Sequence, residues 1–513
     1  MDYSLKEIKL NRVKTLFLKI SLALWVCLLP LCMQAQRAGF TARVMKNHPS
    51  KPGYWLLEGN SQIVSKGNIV YSDKAEYNVA TESCEAYGNL RIITKDKVKI
   101  TGRILNYNGQ TQLFDVIDNV VLVDGSVTMK TQRLLFDSKN NIATYNTPAE
   151  MTDKETVLTS KRGQYYGRTR TFQCRQDVII VSPDYTIWSD TMNYKEGFAQ
   201  FYGPTNMETD DYFMYCEDGF YNKNTEKVSL KNNAYIQTNE QILFGDSIYY
   251  NLASKYGNVH RNVRMIDTLR DLVVKSEYAE NNEQKGTAYF TKNVRTTMVE
   301  KKRDTLFLVS DTLKVRYDTS RQVQQLFAYN KVKFYRADLQ GLCDSLSYDA
   351  LDSVLYLHKK PLVWAQEYQI KGDTIRVWFK NQKPNSLLVN ENSFMVSNPP
   401  NSDFFNQIKG KRVRGFFDEE GLLKTIFVEG NAESIYYVQE EKTHDLIGIN
   451  KSQSRNLRMD LKDQQVSGIN LVDPEKNAMY PQEMLNEKEI RLKGFVWLIE
   501  KRPYSKYDLN KNW

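Results

Sequence analysis

Along most of this chain, apolar and polar positions alternate with a period of two. In VSDTLKVRYD (Val309 to Asp318), Leu313, Val315 and Tyr317 alternate with Thr312, Lys314 and Arg316. Similar alternation follows in FGDSIYYN from Phe244, CDSLSYD from Cys343 and KGDTIRVWF from Lys371. Such alternation predicts strands that bury one face and expose the other. Each segment opens on a small residue and an acid. Aligning the acids gives Asp190, Asp218, Asp246, Glu277, Asp311, Asp344 and Asp373, at steps of 28, 28, 31, 34, 33 and 29 residues. Degenerate copies lie upstream, at SDKAEY around Asp73, GRILNY at Gly102, QRLLFD at Gln132 and RGQYYG at Arg162. A period of this size predicts one stacked array rather than a string of independent domains.

Each repeat has a second half, as in AYFTKNVRTTM (Ala288 to Met298), LFAYNKVKFY (Leu326 to Tyr335) and VEGNAESIYYV (Val428 to Val438). An apolar run reaches Asn or Gly-Asn and then alternates again. Gly and Asn tolerate positive φ, so this step predicts a bend between strand segments. The repeated acid reads as a corner residue whose carboxylate satisfies backbone N–H groups. A catalytic role repeated in every unit makes no chemical sense. Two strands per repeat, over about a dozen repeats from Tyr54 to Val472, predict an all-β stack. Residues 36–53 read as a linker, 398–411 (NPPNSDFFNQIKGK) as a hinge or insertion, and 473–513 as a tail. The tail is expected to carry a short helix around Gln482–Glu489. Its apolar run FVWLI (Phe495 to Ile499) should fold back over the C-terminal end of the stack, leaving the edge near Tyr54–Ser65 free for pairing.

Composition agrees with this picture: 32 Tyr and only 13 Pro among 513 residues favour pleated, half-buried surfaces. The first 35 residues read as an export signal. Lys6, Lys9, Arg12, Lys14 and Lys19 precede an apolar stretch from Ile20 to Cys32, with cleavage expected after Ala35 and a retained anchor as the alternative. Removing residues 1–35 takes five basic and two acidic side chains and lowers the formal net charge from +9 to +6, which does not suggest a nucleic-acid partner. Cys84, Cys174, Cys216 and Cys343 stand singly, without a CxxC pair, and read as buried free thiols rather than zinc ligands. The four histidines, His48, His260, His358 and His444, are scattered, and HExxH, GxSxG, GxxxxGK[ST] and GxGxxG are absent. No metal, cofactor or enzymatic activity is therefore expected. A carboxylate pair hidden in a β-helix enzyme is the third-ranked reading. The Asp-Ser/Thr-apolar triplets also match an O-glycosylation acceptor pattern, although the repeat itself already requires them.

SDTLKVRYD followed by FAYNKVKFY, and GDSIYYN followed by YGNVHRNVRM, resemble the OstA/LptA family of lipopolysaccharide-transport proteins over roughly residues 54–472. The resemblance implies an elongated repeat β-jellyroll, or β-taco, of stacked antiparallel strands. It implies a periplasmic, non-enzymatic protein, possible outer-membrane association included, that shelters the lipid A acyl chains of lipopolysaccharide in an apolar trough. It also implies edge-strand pairing with other transport jellyrolls. The trough-facing residues are then expected to be Ile248, Tyr250, Val263, Met265, Leu313, Val315, Tyr317, Leu346, Tyr348, Ile375 and Val377, with Lys314 and Arg316 outside. This chain has more repeats than the short bridging members and lacks the long series of membrane strands of the outer-membrane member. The alternative is a closed β-solenoid acting as a surface adhesin or carbohydrate binder, which a filled core and an exposed aromatic stripe would favour.

Overall fold

The structure is a computed structural model that describes residues 39–299, 305–381, 383–399, 402–440, 445–462 and 465–511. The expected export segment, residues 1–35, lies outside the described residues. The described chain is all-β: 33 strands, paired antiparallel, with 3₁₀ turns as its only helical elements. It divides into an N-terminal unit, reaching Pro183 together with Thr191–Glu196, and a C-terminal unit comprising Asp184–Asp190 and everything from Gly197 onward.

In both units the long strands are bent at the middle. Gly59–Asn60, Gly88–Asn89 and Asp118–Asn119 in the first unit are pairs of successive residues at positive φ, as are Asn232–Asn233, Arg261–Asn262, Lys292–Asn293 and Glu391–Asn392 in the second. At each of these pairs the register of the ladder shifts. Two left-handed residues in a row turn the strand through a corner, so that one strand contributes to two facing walls. The Gly-Asn steps seen in the sequence therefore mark bends inside strands.

The acid of the preceding strand sits beside this corner, but its partner is not mainly the backbone. Asn262 Nδ2 donates to both carboxylate oxygens of Asp246, at 3.0 and 3.1 Å. Asn89 donates to Asp73 at 2.8 Å and Asn392 to Asp373 at 3.1 Å. In the repeat aligned on Asp218 the role passes to Glu217, which accepts from Asn233 at 2.8 Å. Register explains this shift, because Asp218 and Ser247 both pair with Lys231, making Glu217 the counterpart of Asp246. The small residue before the acid has its own cause. A Cβ on Gly245 would lie 2.2 Å from Val259 Cγ1, because the next strand packs its valine into the corner. Ser72, Ser310, Cys216 and Cys343 fill the same slot. Among the described residues, Cys84, Cys174, Cys216 and Cys343 are buried and unpaired. Burial pushes the thiols of Cys84, Cys216 and Cys343 up to about 12, so they stay protonated at neutral pH.

Several expected boundaries move. Within the supposed linker, Gly39–Thr41 and Val44–Asn47 are strands that pair with the two halves of Tyr54–Ser65. That edge is covered, contrary to expectation. The segment 398–411 is no boundary between bodies, since Lys383–Ser397 and Asn406–Phe417 pair directly across it as a hairpin. The last strand, Gln465–Tyr480, runs past the expected end at 472, and the helix expected around 482–489 is a single 3₁₀ turn, Gln482–Met484.

From Pro481 the tail does fold back, but over the outer face of the C-terminal unit rather than over its terminal edge. Lys451 Nζ donates to the Glu489 carbonyl at 2.6 Å. Gln407 takes the Ile490 carbonyl and the Leu492 N–H, each at 2.8 Å, and Gln369 takes the Val496 carbonyl at 2.8 Å and the Leu498 N–H at 2.7 Å. Arg502 Nε donates to Gln340 Oε1 at 2.9 Å. These three buried glutamines lie in one cross-strand row with Trp364 and Val396. The amides of Gln369 and Gln407 pair with the tail backbone as a peptide group would, while the Gln340 amide donates to the Arg336 and Ala337 carbonyls and its oxygen takes the Arg502 guanidinium. Phe405 of the hairpin loop packs on Phe495 and Trp497. Among the described pairings, Gln465–Tyr480 has only Leu446–Lys462 beside it. Its Pro474, flanked by Asp473, Glu475 and Lys476, suits an edge strand.

The corner generates a test. Asn262→Val places a β-branched residue at φ 51°, and should cost about 1–2 kcal/mol in urea unfolding. Asn262→Gly should cost clearly less, because glycine adopts that angle freely and loses only a bond at an exposed site. Equal losses would show that the bend does not depend on left-handed backbone.

Candidate functional site: the apolar interior

Registration of the bent strands lines up inner side chains in rows. In the C-terminal unit one deep row runs Ile248, Val259, Ala279, Phe290, Leu313, Ala328, Leu346, Leu357, Ile375, Val389, all buried. A second, nearer the rim, runs Tyr250, Gly257, Asn281, Ala288, Val315, Leu326, Tyr348, Leu355, Val377. On the facing wall Leu243, Met265 and Val274 align, with Val263 one step closer to the corner. Ten of the eleven residues expected to face inward lie on these rows, and the eleventh, Tyr317, lines the cavity between the walls. Ile248, Tyr250, Val263, Leu313, Leu346 and Ile375 are buried, whereas Met265, Val315, Tyr317, Tyr348 and Val377 are half-buried. Arg316 is exposed and Lys314 half-buried on the opposite face.

The N-terminal unit fills the corresponding rim row with larger groups: Tyr77, Cys84, Tyr107, Phe114, Phe136, Ala143, Tyr165, Phe172. None of these is more than 3% exposed. Tyr107 stacks on Phe114 at 4.3 Å and Tyr165 on Phe172 at 4.7 Å. The mouth of this unit is closed by buried hydrogen bonds, Ser65 to Tyr107 at 3.2 Å and Asn68 to Ser138 at 3.2 Å. Its core is sealed.

In the C-terminal unit, Asn281, Ala288, Val315, Leu326, Tyr348, Leu355 and Val377 of the rim row remain half-buried. A cavity of about 140 Å³ opens between the walls, lined by Ile236, Leu243 and Met265 on one side and Ile248, Tyr250, Ala279, Ala288, Phe290 and Tyr317 on the other. The difference between the two interiors is one of side-chain volume on a shared backbone plan. Alanine, glycine and valine stand where the first unit has rings, and atoms that face such a gap forgo the dispersion attraction of a packed neighbour.

A polar clasp crosses the mouth of this cavity. Arg270, in the turn after Tyr256–Asp267, donates to the Arg321 carbonyl at 2.8 Å, in a turn on the opposite rim. Arg321 in turn reaches Glu283 at 3.0 Å, Glu283 accepts from Tyr250 at 3.0 Å, and the hydroxyls of Tyr250 and Tyr212 meet at 3.1 Å. Asp267 anchors Arg270: its side chain accepts from the guanidinium at 2.7 Å, from Gln241 at 3.0 Å, and from the N–H groups of Leu269 and Arg270 at 3.1 and 2.9 Å. Burial alone would raise the pKa of Asp267. The bonds from Gln241 and Arg270 outweigh it and hold the carboxyl below the usual value. For Tyr317, burial followed by the charge of Glu283 pushes the hydroxyl up to about 12, so it stays a donor, bonded to Asn281 at 2.6 Å. The clasp residues escape a reading based on alternation because they sit in turns and at strand ends. Among the described residues, no group of three or more His, Cys, Asp or Glu side chains could hold a metal ion.

By its fold, then, the chain is a repeat β-jellyroll built from bent antiparallel strands. It belongs to the family described as OstA-like protein, whose model matches residues 41–190 and 193–303. A second family model, described as LptA/(LptD N-terminal domain) LPS transport protein, matches residues 273–383. Among solved structures, LptH, the LptA-homologous periplasmic component of the lipopolysaccharide transport device of Pseudomonas aeruginosa, aligns with 23% of this chain and 82% of its own, at 14% identity and a TM-score of 0.20. No curated protein matches the chain.

The clasp carries a pH prediction. Because the folded pKa of Asp267 lies below its unfolded value, its stabilisation is fully present above about pH 4 and is lost as pH falls through the lowered folded value. Amide exchange at Leu269 and Arg270, corrected for intrinsic rates, should stay protected down to about pH 4 and weaken below it. Asp267→Ala, which removes the oxygen that both N–H groups share, should expose both amides at neutral pH. Protection that is unchanged in the variant would contradict this role.

Proposed function

We propose that the chain is a non-enzymatic periplasmic scaffold in lipopolysaccharide transport, and that the inner face of its C-terminal unit shelters lipid acyl chains. The observation that carries this reading is the change of the rim row from packed aromatics to half-buried Ala288, Val315, Leu326, Leu355 and Val377. Residues 273–383, which match the lipopolysaccharide-transport family model, cover most of that same stretch. The eleven inward residues named above are the proposed lipid contacts, with Ala288, Leu326 and Leu355 added.

Transferring acyl chains from water into such a trough gains ~0.8 kcal/mol per methylene, on the order of 9 kcal/mol for a fully sheltered twelve-carbon chain before entropy costs. A row of near-equivalent apolar positions lets a chain shift from one rung to the next without a deep trap. The clasp from Arg270 to Arg321 closes the mouth at one place, and entry there requires only hydrogen bonds to exchange with water. Delivery to a neighbouring transport jellyroll is proposed to use strand edges, with Gln465–Tyr480 as the edge available in the C-terminal unit. Outer rings such as Tyr215, Tyr235 and Phe244 already pack on one another, Tyr215 stacked on Tyr235 at 5.5 Å and Tyr235 tilted against Phe244 at 5.6 Å, which makes them a poor sugar platform.

A photoreactive amino acid placed in cells tests the reading. Positions 315 and 326 should give lipopolysaccharide adducts, while 114 and 136, in the sealed interior, should give none. Absence of adducts at 315 and 326 in a folded, exported protein would refute the trough, as would equal labelling at all four.

A further inference from the structure

A large cavity, about 1210 Å³, lies on the outer face of the C-terminal unit, between the sheet and the returning tail. Its floor is apolar, with Val309, Leu342 and Leu362 on the sheet and Val496, Leu498 and Leu509 on the tail. Its walls carry seven basic side chains against three acidic ones, Asp311, Asp344 and Asp373. All three acids are engaged locally, Asp344 with Lys359 at 2.9 Å, Asp373 with the Asn392 amide at 3.1 Å and Asp311 with the Thr312 hydroxyl at 3.1 Å. Lys331, Lys333, Lys360, Lys371, Lys501 and Arg295 make up the rest of the positive lining.

From this combination we infer that the groove is a second binding site, separate from the interior, for an anionic amphiphile: a lipid whose phosphate is held by the lysine rim and whose apolar portion lies on the floor beneath the tail. Charge complementarity identifies the occupant. An apolar floor alone would suit any hydrophobic segment, but a surplus of cations around it selects a molecule that is greasy at one end and negatively charged at the other. Lys371 also shows the chemistry. It is half-buried and its hydrogen bond goes to the neutral Gly494 carbonyl at 2.8 Å, with the Phe394 ring beneath it at 5.1 Å. Burial lowers its pKa and that of Lys333, and an incoming phosphate would relieve that penalty. The tail is part of the site, because half of the apolar floor belongs to it.

The site is distinct from the proposed trough, and the experiment separates them. Calorimetric titration with dioctanoyl phosphatidic acid below its micelle concentration is carried out on the parent protein and on Val315→Asp, which puts a charge into the interior alone. A third sample, the triple variant, adds Lys331→Asn, Lys360→Asn and Lys501→Gln to Val315→Asp, so that the trough is already blocked. Asparagine suits the first two positions, whose φ angles are 55° and 57°. Binding of phosphatidic acid should survive Val315→Asp and weaken at least tenfold in the triple variant. It should also weaken between about 0.1 and about 0.5 M salt, as the Debye length contracts from about 10 Å to about 4 Å. Dioctanoyl phosphatidylcholine should lose its binding in Val315→Asp, and inorganic phosphate should bind far more weakly than phosphatidic acid. The inference is overturned if Val315→Asp abolishes phosphatidic acid binding, if the triple variant binds like the parent, or if inorganic phosphate binds as tightly as the lipid. Retained phosphatidylcholine binding in Val315→Asp would instead count against the trough.

Discussion

Two successive residues at positive φ, placed at the centre of strand after strand, bend the chain so that each strand lines two walls at once. This has an energetic cost for most side chains, because left-handed backbone brings Cβ against the carbonyl, and Arg261, Lys292 and Glu391 bear it at the first position of their pairs. Asn and Gly meet it at Asn60, Asn89, Asn262, Gly88 and Gly430. The Asp or Glu of the neighbouring strand then holds the Asn amide, as Asp246 holds Asn262. Register follows from the bend, since a slip by one residue would turn every inner row outward. Burial of the inner rows, and with it the stability of each unit, depends on that corner.

Once the corner is fixed, the interior can be tuned residue by residue without altering the backbone plan. The N-terminal unit fills its rim row with Tyr107, Phe114, Phe136 and Tyr165 and becomes a packed core. The C-terminal unit places Gly257, Ala288 and Val315 in the corresponding row, and space appears between the walls. The outer face is used as well: the row of Gln340, Gln369 and Gln407 accepts the tail as a strap, so several strands there are covered on both sides. One fold plan thus provides a sealed interior, an open one and a covered outer groove.

Much of this was legible along the chain. Alternation in DTLKVRY and DSIYY assigns Leu313, Val315, Ile248 and Tyr250 to one face, because a strand repeats every two residues whatever its neighbours do. The Gly-Asn steps identify the bends for an equally local reason. What stayed hidden depends on distant partners. That Glu217, and not Asp218, pairs with Asn233 follows from register, which EDG alone does not reveal. The course of the tail follows from glutamines more than 80 residues upstream. There was a trace of it, however: PLVWA (Pro361 to Ala365) and FMV (Phe394 to Val396) do not alternate, as expected of strands buried on both faces. The contrast between the two interiors was also written in side-chain size, but reading it required knowing that Ala288 and Val315 occupy the same kind of row as Tyr107 and Phe114.

We propose that small inner side chains, on a scaffold that can equally be sealed, make the C-terminal unit a lipid carrier. The most direct measurement is lipopolysaccharide binding by a protein in which Ala288→Phe and Val315→Tyr copy the aromatic row of the N-terminal unit. The account predicts that lipopolysaccharide binding is lost while the melting temperature holds or rises, because the cavity has been filled. Undiminished binding by the folded double variant would contradict it.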